Sequence, residues 1–484
     1  MAEQGKLTKR VASGVAWSIA EKVGSALLQA VVSIVVANRI MPMDMGIMAV
    51  LTVFITLAQL VVDSGFSQTL IRKAQPTDEE YRSVLQFNIV TSLILYALFV
   101  VVAFPVAHFY DQPVIADIAP VLFLLLPINA LCVVQTVMFT REFRFALLSK
   151  IVFSASLISG VAAVAMALLG CGIWALVAQR LLMMAIKAVA FWWIRRWRSD
   201  ARYSGRALRA MAPFSLRLLA TDLIASIYNN VAQLFIGKMH ATSTLGYYSQ
   251  AQKLKDLPVT STVQAVQGVT YPALSKLSDD DAKFSQGFLR IVRLLGFVLF
   301  PAMLCFVAVA DDMFMLLLGE KWMPTVPYFE ILALSGLCFP LAVVAYNVLK
   351  TKSDGRVIVR LEIIKRVIMT AVLGYTIPQS VEAVAWGMTA MAGVEFVLNC
   401  GFAMRYMTLG PSSLVRALLP SIMLSCAMFG ILYMVAPHLV AMHVALRLVV
   451  MLAIGGSVYL CGAWLLRLRA FNEGIDILKG LFKH

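Results

Sequence analysis

Four basic residues, Lys22, Arg217, Lys253 and Lys255, stand inside long apolar runs of this 484-residue chain. A Lys or Arg at the centre of a hydrocarbon-spanning helix costs about 2.5–3.5 kcal/mol, so such residues must face one another, an interface or water. The chemistry open to them is anion binding. Ammonium and guanidinium groups can replace the water around a phosphate with charge-assisted hydrogen bonds. Asn229, Gln233, Tyr247 and Tyr248, with Tyr228 and Asn230, add polar and aromatic surface suited to sugar contacts. An interfacial aromatic belt is the alternative for the tyrosines. Glu21, Arg180, Lys187, Asp222, Asp256, Glu395 and Arg447 also fall in apolar runs. Lys253 with Asp256 and Glu362 with Lys365 or Arg366 have the spacing of helix-surface ion pairs. Arg180, Lys187 and Arg447 have the length to snorkel.

No reaction chemistry competes with this reading. His108, His240, His438 and His443 fall near helix ends and form no H-E-x-x-H, and there is no Walker A, dinucleotide-binding or EF-hand motif. Neither an enzyme, a metal site nor a cofactor is expected. Cargo movement would draw on an H+ or Na+ gradient, the membrane potential or the cargo's own gradient. The seven cysteines are scattered and form no C-x-x-C, which reads as small core residues.

The elements that position these residues follow from composition. The chain is 61% hydrophobic and 14% charged, far from the even mixture of a soluble domain. Runs of about 20 apolar residues fit helices across a ~30 Å hydrocarbon core. The expected fold class is therefore all-α, a polytopic membrane protein. Fourteen segments can be drawn, at 13–37, 46–66, 84–107, 114–138, 150–170, 173–194, 213–236, 245–271, 288–310, 326–349, 357–377, 382–404, 413–435 and 440–466. The net charge of +15 resides mainly in alternate loops and at both termini. The positive-inside rule then puts both termini in the cytoplasm. No basic domain stands apart from the spans, so nucleic acid is not an expected partner. Anionic lipids are, through the basic loop from Arg195 to Arg209. Met1 to Arg10 is polar and basic, and no cleavable signal peptide is expected.

The halves echo one another. Gly46 matches Gly246 and Gln86 matches Gln286 at one offset; Arg144 matches Arg356 and Trp174 matches Trp386 at a second. The expected organisation is an N-terminal lobe of six helices (1–196), a basic linker (197–212), a second six-helix lobe (213–404), two extra helices (405–466) and an amphipathic tail (467–484). A parallel repeat of this kind is a transporter signature.

Several stretches carry a family resemblance: NRIMPMDMGIMAVLTVF (Asn38 to Phe54) after Trp17, DSGFSQTLIRK (Asp63 to Lys73), TREFRF (Thr140 to Phe145), LGYYSQAQKLKDLP (Leu245 to Pro258) and LLGEKWMP (Leu317 to Pro324). Together they resemble the polysaccharide transporter family of the MOP flippase superfamily, in its colanic-acid exporter and Wzx-type branch. The resemblance implies two six-helix lobes around a central cavity, alternating access, and export of an undecaprenyl-pyrophosphate-linked oligosaccharide across a bacterial inner membrane, alongside polysaccharide polymerase machinery. It implies Lys22, Arg217, Lys253 and Lys255 as pyrophosphate contacts, by location and charge. The alternatives are a cation-coupled drug antiporter of the same superfamily, which would favour an acidic ion site, and a membrane glycosyltransferase or polymerase, which would need a sizeable outer catalytic loop.

Overall fold

The computed structural model describes residues 24–25, 28–197, 199–276, 280–353 and 355–481, with the backbone alone at 261, 264–276 and 476–481. Lys22 and Glu21 lie outside the described residues. The chain divides into two compact units, Met1–Gly246 and Tyr247–His484. The first contains α1 (Leu28–Arg39), α2 (Pro42–Asp63), α3 (Phe66–Arg72), α4 (Asp78–Phe109), α5 (Val114–Leu122), α6 (Leu125–Arg141), α7 (Phe145–Leu168), α8 (Trp174–Arg195) and α9 (Gly205–Met239). The boundary falls within α10 (Thr242–Lys276). The second unit continues with α11 (Asp281–Ala308), α12 (Ala310–Leu317), α13 (Val326–Lys352), α14 (Gly355–Thr376), α15 (Val381–Ala403), α16 (Pro411–Val435), α17 (Val444–Leu465) and α18 (Arg469–Leu481). No strand occurs among the described residues.

Eleven helical stretches among the described residues are long and apolar enough to cross a bilayer. The chain is an all-helical, multi-pass membrane protein. Three of the fourteen expected segments fall short of that standard, each for a visible reason. The first is described only over the short α1. The eighth lies in α10, where Lys253, Lys255, Asp256 and many Gln, Ser and Thr dilute its apolar character. The eleventh is α14, whose first twelve residues hold Arg356, Arg360, Glu362, Lys365 and Arg366.

The expected linker at 197–212 is partly helix. Ser204 caps α9, its Oγ accepting from the Ala207 amide at 3.3 Å. The cap starts the helix eight residues before the apolar run at 213 because a satisfied first turn needs no apolar surroundings. α9 then packs on α2, α3 and α4, so it belongs with the first unit. Its partner α4 likewise begins outside the apolar run, with a Thr77–Glu80 capping box. The core of the first unit joins Phe66 and Leu70 of α3, Val84 and Leu85 of α4, Val137 and Met138 of α6 and Met211 of α9.

In the second unit, α13 and α15 run side by side in parallel. Thr389 Oγ1 donates to the Ile331 carbonyl at 2.8 Å and Asn399 Nδ2 to that of Ala342 at 2.9 Å. Phe284, Phe288, Val344, Val348, Leu361 and Leu418 fill the core around this pair. At the start of α11, the Lys283 and Ala282 amides donate to Asp280, and the Lys283 bond above all holds that carboxyl below its usual range. The cap is therefore fully formed above the ordinary carboxylate range and is lost as the pH falls below it. The tail forms α18 and docks on α11: Glu473 binds Arg293 at 2.6 Å, and the Phe471 ring meets Phe297 at 6.3 Å.

Gly46 and Gly246 occupy matching places. A Cβ on Gly46 would lie 2.0 Å from the Thr242 carbonyl oxygen, and one on Gly246 would lie 1.8 Å from that of Pro42. The N-terminal ends of α2 and α10 thus meet backbone to backbone, the close approach that small residues permit between membrane helices. Substituting either glycine with Ala must force the helices apart. Gly46→Ala and Gly246→Ala are expected to lower the thermal midpoint of purified protein by several degrees. Gly430→Ala, at a position with nothing within 4 Å of the added carbon, should leave it unchanged or slightly raised.

Candidate functional site

The expected basic residues fall into both units. In the first unit, Arg217 is exposed on α9. Among the described residues its guanidinium makes no ion pair or hydrogen bond. The backbone just before it is firmly held. Thr69 Oγ1 and Ser215 Oγ share a hydrogen bond at 2.7 Å, and the Arg72 guanidinium lies 4.7 Å over the Phe214 ring. Gly65, with φ +72°, allows the α3 entrance to approach the Ser215 carbonyl; a Cβ there would sit 2.6 Å away. Arg217 is therefore an exposed cation on a fixed stem. Thr221, Asp222 and Asn229 are also exposed further along α9, while Gln233 is half-buried.

In the second unit, Lys253 is exposed on α10, and Lys255 is mostly enclosed, with 14% of its side chain accessible. Asp256 pairs with Lys255 at 2.7 Å. Around the enclosed Lys255 ammonium, Coulomb attraction is screened less than at the surface. Tyr248 is 1% exposed, its ring edge-on to Tyr328 at 6.5 Å. Tyr247 is half-buried against Trp322 at 5.9 Å. Tyr248 thus offers packing rather than an open sugar-binding face. Sequence reasoning missed Gln250: it is 2% exposed and its amide nitrogen has no partner among the described residues. Its position three residues before Lys253, on the same polar side of α10, is the signal that could have found it.

The remaining charges in apolar helices are mostly answered locally. Arg447 does not snorkel. It grips Asp312 through two hydrogen bonds, Nε to Oδ2 at 2.7 Å and a second from Nη2 to Oδ1, clamping α17 to α12. Arg180 donates to Thr52 Oγ1 at 2.7 Å. Lys187 lies 5.6 Å over the Phe191 ring. Glu362 pairs with Lys365 and, at 3.5 Å, with Arg366, as their spacing predicts. No group of three or more potential metal ligands exists among the described residues.

The motif stretches do structural work. Arg141 of TREFRF donates to the carbonyls of Leu70, Ile71, Lys73 and Ala74, the last at 2.8 Å, satisfying the C-terminal end of α3. Asp63 of DSGFSQ accepts from Ser67 Oγ at 2.5 Å. Trp322 of LLGEKWMP is fully buried.

Breaking the Arg447–Asp312 clamp leaves an uncompensated charge, which costs about 3–5 kcal/mol when buried. Asp312→Asn should therefore lower the thermal midpoint markedly. Replacing both residues by Leu should recover most of the loss, in a double-mutant cycle read by heat-induced unfolding.

Comparison with known proteins gives the same class of protein. The family profile described as "Polysaccharide biosynthesis protein" matches residues 35–327. The teichuronic acid biosynthesis protein TuaB of Bacillus subtilis (strain 168) is 26% identical over 337 residues, 68% of this chain and 69% of that protein. The succinoglycan biosynthesis transport protein ExoT of Rhizobium meliloti (strain 1021) is 25% identical over 382 residues, 78% and 77% of the two chains. Among solved structures, the lipid II flippase MurJ in an inward closed conformation shares the fold, with a TM-score of 0.68 and 12% identity over 94% of this chain and 98% of that one.

Proposed function

This chain belongs to the polysaccharide biosynthesis protein family, and from that premise we propose that it is a flippase for lipid-linked oligosaccharides. Its cargo is an oligosaccharide on a polyprenyl pyrophosphate, carried by alternating access from the inner to the outer leaflet of a bacterial cytoplasmic membrane. All fourteen apolar segments cross in this reading, in two six-helix lobes and two extra helices, with both termini cytoplasmic. The two charged helices α10 and α14 are spans whose polar residues serve transport. Coupling is to H+ or Na+, and a polysaccharide polymerase receives the product.

One observation carries the reading. Most intramembrane charges are locked to a partner, yet Arg217 stands exposed with no ion pair among the described residues, on a stem pinned by α3. A cation left open in the membrane interior is costly unless water or an anion meets it. A pyrophosphate is the anion that the family's chemistry supplies, and Lys253, exposed on α10, presents a second charge of the same sign. Lys22 and Lys255 complete the proposed set, and Asn229, Gln233 and Tyr247 are the proposed sugar contacts. Charge-assisted bonds to the pyrophosphate would replace the water that it loses.

The test is direct. With Arg217 and Lys253 both changed to Ala, lipid-linked oligosaccharide should accumulate in the inner leaflet and export should fall at least about tenfold, the loss of roughly 1.4 kcal/mol of binding in the limiting step. The variant should reach the membrane at normal levels. Undiminished export from this double variant would remove the assignment.

A further inference from the structure

A second charged cluster lies wholly within the Tyr247–His484 unit, where α13, α14 and α15 pack together. Glu362 is seven residues into α14, and Glu395 is eight residues before the end of α15. Each is about 10–12 Å from its helix end. Glu362 is fully engaged: it holds the Lys365 ammonium, Arg366 at 3.5 Å and the Tyr346 hydroxyl. Lys365 is 7% exposed, and its ammonium also lies 4.9 Å from the Tyr346 ring centre. Glu395, on the neighbouring α15, lies within electrostatic reach of Lys365, Glu362 and Arg366. Half-buried in α15, it makes no hydrogen bond or ion pair among the described residues.

Two carboxylates therefore compete for one buried ammonium. On α13 the titratable groups that border them are Tyr346 and Lys350, the latter 4.9 Å over the same ring, with the Cys338 thiol opposite Cys400 of α15. We propose that Glu395 is the proton-binding site of this protein, and that Lys365 moves between Glu362 and Glu395 as the proton leaves and returns. With the proton on, Glu395 is a neutral acid and Lys365 stays with Glu362. When the proton leaves for water, the new carboxylate draws Lys365 across, and Glu362 keeps Arg366 and Tyr346. No other bond changes, and the charge of the cluster changes by one. The ligand is a proton and not a metal ion, because the Lys365 ammonium already fills the space of a cation between the carboxylates, and Arg366 adds a second positive charge. That this proton drives transport rests on the flippase reading; that Glu395 binds it does not.

The experiment uses the full-length protein in proteoliposomes. Infrared difference spectra between acid and neutral pH should show the carbonyl stretch of a protonated carboxyl that E395Q lacks and that E330Q, a change at a half-buried carboxylate in the first turns of α13, keeps. K365Q should keep the band but shift its pH midpoint, so the site remains testable if E395Q folds poorly. An imposed pH gradient should speed cargo translocation severalfold in the wild type. E395Q should lose that response while retaining downhill exchange, and replacing sodium with choline should change nothing. A band that survives in E395Q, or a midpoint that ignores K365Q, overturns the proton site. A gradient response that survives in E395Q, or that requires sodium, overturns its role in coupling. A wild type that binds the proton at Glu395 but moves no lipid-linked cargo overturns the flippase reading and leaves the site standing.

Discussion

Hydrocarbon does not hydrate charge, and the arrangement of this protein follows from that constraint. A buried ion must find an opposite charge, a dipole, an aromatic face or a route to water. Each solution occurs here. Arg447 takes Asp312, Arg180 takes a threonine hydroxyl, Lys187 lies over a phenyl ring and Lys255 takes the neighbouring Asp256. Once those are set aside, Arg217 stands out as an exposed cation without an ion pair among the described residues. That contrast, rather than the number of basic residues, is what singles it out.

Backbone polar groups obey the same rule, and the motif stretches answer it. Arg141 gathers the carbonyls at the end of α3, and Gly46, Gly65 and Gly246 let backbones approach where a Cβ would collide. These residues build a rigid frame around α9, on which a functional side chain can be held without touching cargo themselves. The fold is shared with the lipid II flippase MurJ at only 12% identity.

Much of this was legible in the sequence because hydropathy and helical spacing are local signals. The apolar runs marked the spans, and Glu362 with Lys365 and Arg366 announced their pairing at three and four residues. The Gly46–Gly246 match marked positions that prove to need glycine. What the sequence hid is long-range. Arg447 and Asp312 are 135 residues apart, and nothing local joins them. The placement of α9 in the first unit depends on packing against α2, α3 and α4, not on the basic stretch before it. Tyr248 looked like an aromatic binding residue because a buried tyrosine and an exposed one read alike in a polar helix.

The central claim is that the charge of Arg217 meets water and the cargo's phosphates. It is tested most directly by charge rescue at that position. In a background with the seven cysteines replaced, R217C should react readily with small water-borne thiosulfonates, and cargo should slow the reaction. Attaching a positively charged adduct should restore export, while a negative adduct of similar size should not. Refusal of R217C to react, or equal rescue by both adducts, would contradict the account.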